Sequence, residues 1–146
     1  MSGMNKMKLL WLDDIRDPFE NNGEWLVFSP LFGGDYDTIW VKSFDEFVKW
    51  INDNGLPDGV CFDHDLGEDV AIELVNKGTN KKVARKVKKE LPSGYDCAKF
   101  LVNYCLINDL DLPLYNIQSA NPVGKDNING LLQNYIRHRN NSKSRS

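Results

Sequence analysis

Three short apolar runs in this chain end alike, in polar residues suited to chemistry. Leu9-Leu10-Trp11-Leu12 runs into Asp13-Asp14, Val60-Cys61-Phe62 into Asp63-His64-Asp65, and Leu114–Ile117 into Gln118-Ser119-Ala120-Asn121. Unbroken apolar runs of this length fit strands buried on both faces of a sheet. Lys8–Leu12 is therefore predicted as the first strand, Thr38–Val41 as the second, the run at Val60 as the central one, and Leu114–Ile117 as the last.

Between the strands the period changes to that of helices. Ser43-x-x-Glu46 has the form of a capping box, and Phe44, Phe47, Val48 and Ile51 follow at i, i+3, i+4 and i+7, a single apolar stripe. Asn54-Gly55 predicts the end of that helix. Ser93-x-x-Asp96 opens another, with Ala98, Leu101, Val102 and Cys105 on one face. Asn121-Pro122 reads as an N-cap followed by proline at the first helical position; Ile128, Leu131, Leu132, Tyr135 and Ile136 form the last stripe. Residues 13–37 show no helical period and contain Pro18, Asn21-Asn22-Gly23, Pro30 and Gly33-Gly34. They predict a long loop that Phe19, Trp25, Phe28 and Phe32 could pack down. Residues 68–91 are helix-compatible but highly charged and read as an insertion. Strands alternating with helices imply a parallel sheet with right-handed crossovers.

Length and composition bound the picture. At 146 residues, 41% hydrophobic and 27% charged, the chain reads as one globular domain over 1–146, with a core at about 8–137 and a basic, disordered tail at 138–146. No apolar run approaches the roughly 20 residues of a membrane span, and MSGMNKMK lacks a signal-peptide core. The three cysteines, Cys61, Cys97 and Cys105, sit in apolar contexts and read as reduced core residues of a cytoplasmic protein. Charge is uneven: residues 1–67 hold 13 acidic and 5 basic side chains, whereas residues 76–90 hold 7 basic and 1 acidic. That asymmetry points to weak polyanion binding through residues 77–89, with Lys81, Lys82, Arg85 and Lys86 as nucleic-acid contacts; a solvated helix face is the plainer reading.

If the three runs are parallel neighbours, their carboxyl ends bring Asp13, Asp14, Asp63 and Asp65 to one sheet edge, where open α/β sheets bind ligands. Clustered carboxylates repel unless a cation neutralises them. A hard ion, Mg²⁺ or Mn²⁺, suits oxygen donors, and such an ion binds phosphate oxygens in turn. Asp63 and Asp65 are candidate nucleophile or base, and His64 a candidate acid–base group. Ser119, Asn121, Gly124 and Lys125 lie where a loop enters a helix, a ready anion site, and Arg16 is a further phosphate clamp. Singly, each has a structural explanation: an Asp pair as a turn, His64 as a packed histidine, Ser119 and Asn121 as caps. Their convergence favours a site.

These residues carry a resemblance. Asp13-Asp14, Asp63 and Ser119-Ala120 resemble the acidic pair, phospho-acceptor aspartate and Ser/Thr-Ala step of response-regulator receiver domains, and Leu66 and Gly94 fit the residues that follow the acceptor. The segments LWLDDIRDP, FDHDLG, SGYD and QSANPVG, in this order over about Lys8–Tyr135, resemble a divergent branch, the cyclic-phosphate-processing receiver-like domains. The resemblance implies a receiver-like, flavodoxin-type three-layer α/β/α sandwich with a parallel four-stranded sheet, the fifth strand lost. It also implies metal-dependent handling of phosphate esters, including cyclic phosphates of nucleotides or RNA ends. The expected function is a Mg²⁺-dependent phosphoesterase or phosphotransfer domain, with no membrane role. The alternatives are a non-catalytic receiver phosphorylated on Asp63 and a module that sequesters phosphorylated or cyclic nucleotides.

Overall fold

A computed structural model describes residues 7–14, 36–63, 66–117 and 122–144. The first run becomes β1 (Met7–Leu12), flanked on one side by β2 (Tyr36–Val41) and on the other by β3 (Gly59–Phe62). After α1 (Phe44–Asn54) and β3 come α2 (Glu68–Asn76), α3 (Lys81–Glu90) and α4 (Gly94–Asn108), then β4 (Leu114–Ile117) and α5 (Pro122–Ser144). The four strands pair in parallel in the order β2-β1-β3-β4. This is the parallel sheet that the alternation of strands and helices predicts, in the receiver-like α/β fold that the resemblance implies.

Side-chain alternation divides the sheet into two faces. Leu10, Leu12, Val60, Phe62 and Ile117 join a large core with Phe47 and Ile51 of α1, Leu101 and Cys105 of α4, and Ile128 and Leu132 of α5. Leu9, Trp11 and Cys61 form a smaller cluster with Trp40. Every residue of β3 is buried, as its unbroken apolar run predicts. Asp58 supports the strand start: its Oδ2 accepts from the Lys8 amide at 2.7 Å.

The caps follow the sequence signals, with one variation. Ser43 Oγ accepts from the Glu46 amide at 3.2 Å, but Glu46 Oε1 accepts from the Lys42 amide instead of that of Ser43. At α4 the Ser93 amide donates to Asp96 Oδ2 at 2.7 Å, and the capping box is complete.

One expectation gives way. Residues 138–144 of the expected disordered tail are helical, because α5 continues to Ser144. Tyr135 Oη donates to the Leu110 carbonyl at 2.8 Å, and Arg139 pairs with both Asp109 and Asp111. These ties to the end of α4 hold the helix past the point where its apolar stripe stops. The charged segment 68–91, read as a helix-compatible insertion, is helical. It forms two helices joined at Gly78 (φ +98°) and Asn80, whose Oδ1 accepts from the Lys82 amide at 2.7 Å. Its first turn reaches the sheet edge described next.

Candidate metal and phosphate site

Parallel pairing sets the level of each acidic residue. Leu9, Leu10 and Trp11 pair with Gly59, Val60 and Cys61, so continuing the register by two residues puts Asp13 level with Asp63. On the other side the Asp13 amide donates to the Val41 carbonyl at 3.1 Å, extending the β1–β2 ladder beyond Leu12. Trp40 Nε1 donates to the Asp13 carbonyl at 2.7 Å. The backbone at Asp13 is thus held from the sheet.

Asp13, Asp14 and Asp63 each place a carboxylate oxygen within 4.8 Å of the others. Asp13 is 3% and Asp14 4% exposed, whereas Asp63 is half-buried. Burial pushes the Asp14 carboxyl above its ordinary value of 3.8; the amides of Asp69 and Glu68 pull the other way, and the charge of Asp13 adds to the rise. The Asp69 amide is 3.1 Å from Asp14 Oδ2. Three carboxylates this close, two of them cut off from water, need a positive partner or a proton. An all-oxygen donor set of this kind fits a hard divalent ion, so the cluster could hold a metal.

Sequence reasoning missed the contribution of α2. Gly67 precedes its first turn with φ +91°, a left-handed conformation that glycine adopts without penalty. A Cβ there would lie 2.9 Å from Leu91 Cδ1. The turn at Gly67 aims the start of α2 at Asp14. A signal was present, since Leu66-Gly67 before Glu68-Asp69 has the acid-rich first turn of a helix start.

Glu68 faces the other way. It pairs with Lys88 of α3 beside a cleft of about 550 Å³, lined by Leu66, Glu68, Arg85, Lys88, Lys89 and Ser93 among others. Of the four basic residues singled out as nucleic-acid contacts, Arg85 lines this cleft; Lys81, Lys82 and Lys86 are exposed and do not. Gly124 is buried and Lys125 exposed in the first turn of α5. Arg16, His64, Asp65, Ser119 and Asn121 lie outside the described residues.

The thiols fall outside this chemistry. Cys61, Cys97 and Cys105 are buried, and none is in a disulfide. Burial raises the Cys97 thiol, and pushes Cys105 up to about 11, so neither supplies a thiolate near neutral pH. Among the described residues no helix is long and apolar enough to cross a membrane.

Comparison with known proteins agrees with the geometry. The family model described as cyclic-phosphate processing receiver domain matches residues 8–134. Among curated proteins none matches. A solved structure titled "Yeast Spc42 Trimeric Coiled-Coil Amino Acids 181-211 fused to" another structure is similar at 14% identity and a TM-score of 0.49, over 88% of this chain. This chain spans 64% of the length of that one, and so distant a likeness carries no argument.

Proposed function

The chain belongs to the cyclic-phosphate processing receiver domain family, and from that premise we propose that it is a Mg²⁺- or Mn²⁺-dependent phosphoesterase or phosphotransfer domain acting on a cyclic or terminal phosphate of a nucleotide or RNA end. The observation that carries this reading is the cluster of Asp13, Asp14 and Asp63, two buried and one half-exposed, at the carboxyl ends of β1 and β3. A divalent ion held there supplies charge neutralisation for a phosphoryl group.

The chain's own residues then divide the work. Asp13 and Asp14 are ligands fixed by burial, Asp13 by its backbone ties to β2 and Asp14 by the Asp69 amide. Asp63 is the most accessible of the three, so it is both a ligand and the first choice of nucleophile if an aspartyl-phosphate forms. Asp65 serves as a further ligand or base, and His64 as acid or base. Arg16, Ser119, Asn121, Gly124 and Lys125 hold the phosphate. The setting is cytoplasmic.

The deciding experiment is metal-dependent turnover of a panel of cyclic nucleotides and RNA ends bearing a 2′,3′-cyclic phosphate, with Asp63→Asn as control. Cleavage that needs Mg²⁺ and disappears in the variant supports the enzyme. Ligand bound but recovered intact would replace it with a sequestering module. The accessibility of Asp63 also favours a second reading, a phosphorylated receiver; a stable aspartyl-phosphate formed from acetyl phosphate, with no ester cleaved, would establish it.

A further inference from the structure

The cleft beside the carboxylates holds more positive charge than its own acid neutralises. Glu68 is engaged by Lys88. Arg85 and Lys89, which also line the cleft, form no ion pair among the described residues, and both are exposed. They lie four residues apart on α3, as do Lys81 and Arg85, and Lys82 and Lys86. Like charges at that spacing destabilise a helix. The helix carries Lys81, Lys82, Arg85, Lys86, Lys88 and Lys89 against Glu90 alone. An arrangement of this kind gains most from an external anion that joins the cations.

The cleft is next to the acidic cluster. The first turn of α2 forms part of both: Glu68 lines the cleft, while the Asp69 amide donates to Asp14. Leu66, which lines the cleft, lies three residues after Asp63. Its volume of about 550 Å³ is within the range of small-ligand sites.

We infer that this cleft is the subsite for a second phosphate, held between Arg85 and Lys89, and that the substrate is accordingly an oligonucleotide whose end reaches the carboxylates. The inference rests on the proposed reading of the acidic cluster. A mononucleotide with one cyclic phosphate brings its charge to the carboxylate edge and leaves Arg85 and Lys89 unmatched. A chain brings a further charge with each nucleotide. The planar guanidinium of Arg85 fits two phosphate oxygens at once, and Lys89 adds a point charge beside it.

The test compares two double variants of the full chain that remove equal charge. Arg85→Ala with Lys89→Ala empties the cleft; Lys81→Ala with Lys82→Ala removes cations of α3 that do not line it. The probes are a fluorescein-labelled short single-stranded RNA ending in a 2′,3′-cyclic phosphate, and 2′,3′-cyclic AMP. Loss of this phosphate contact should weaken RNA binding about tenfold and reduce the slope of log Kd against log salt by about 0.7. The cyclic mononucleotide should be unaffected, and the Lys81/Lys82 variant should lose far less. Equal losses in the two double variants, or RNA bound no better than the mononucleotide, would overturn the inference. Circular dichroism checks that α3 persists, and Arg85→Gln with Lys89→Gln replaces the alanine pair if it does not. Repeating the binding in Asp63→Asn separates the two readings. RNA bound through Arg85 and Lys89 but never cleaved overturns catalysis alone. Cleavage that ignores both cleft residues overturns the subsite alone.

Discussion

The carboxyl edge of the sheet and the α2–α3 pair are both dense in charge, yet they hold it in opposite ways. At the edge, Asp13 and Asp14 are 3% and 4% exposed and the backbone at Asp13 continues a parallel ladder. These charges can neither move apart nor be screened by water, so the site has a strong and local demand for a cation. In the helix pair, Ala71 is the buried residue of α2 and Ala84 that of α3, and the lysines other than Lys88 stand in solvent. Those charges are screened over about 10 Å at 0.1 M salt. Buried charge on a rigid frame specifies one ligand in one place; exposed charge outside the cleft sets a field. The region between them, the turn from Gly67 to Asp69, belongs to both.

The largest effect should come from breaking the edge itself. Asp63→Asn should lower metal affinity by more than the roughly 10–100-fold that loss of a supporting partner costs, and abolish turnover, while the metal-free fold becomes no less stable because repulsion is removed. Calorimetric metal titration and thermal unfolding check the two halves. Undiminished metal binding would sink the assignment of the cluster. Next in size is the junction. Gly67→Ala meets both a positive φ and a contact at 2.9 Å, so it should cost about 1–3 kcal/mol and displace the Asp69 amide from Asp14, weakening metal binding as well. Gly78→Ala has the same backbone handedness but open space, and should cost about 1–2 kcal/mol with metal affinity intact. If both variants leave metal affinity alone, α2 does not support the site.

Which of these features could be read from the sequence follows from how local their causes are. The strands at Leu9–Leu12 and Val60–Phe62 announce themselves because complete burial needs an unbroken apolar run, and the acids that follow are adjacent in the chain. Parallel order then draws Asp13, Asp14 and Asp63 together with no further information. The caps at Ser43 and Ser93 are three-residue signals and equally plain. By contrast, the helical extension of α5 depends on Arg139 finding Asp109 and Asp111, about 30 residues away, and nothing in the polar run itself shows it. The role of the charged segment was hidden for the same reason. Its link to the site is a backbone amide at Asp69, whose donor is present at every non-proline residue and leaves no mark in the sequence.

A subtler effect uses pH to sharpen the contrast. Asp14 has its folded-state value raised above the ordinary 3.8, chiefly by burial. The sign follows: its neutral form suits the fold, so this contribution to stability is complete below 3.8 and is lost as pH rises through the raised value. Without metal, Asp14→Asn should therefore be more stable than the natural chain at pH 7, and the gap should close as pH falls. Urea midpoints of the two proteins, measured in chelator at a series of pH values, give the comparison. Metal affinity should fall over the same interval, as protons compete for the carboxylate. A gap that stays constant with pH would mean that burial of Asp14 does not govern its titration.

The smallest effect is expected at the exposed end of the comparison. Lys77 and Glu73 form a pair at 2.9 Å on the last turn of α2, with side chains 70% and 66% exposed. Their mutual attraction lowers the Glu73 carboxyl and raises the Lys77 ammonium, yet water and salt screen both groups, and ordering two long side chains opposes the gain. Lys77→Ala should leave the melting temperature, metal affinity and RNA binding unchanged within error at physiological salt. Any of the three moving clearly would show that charge on the α2–α3 pair outside the cleft acts through specific contacts, as at the sheet edge, and the division drawn between the two regions would fail.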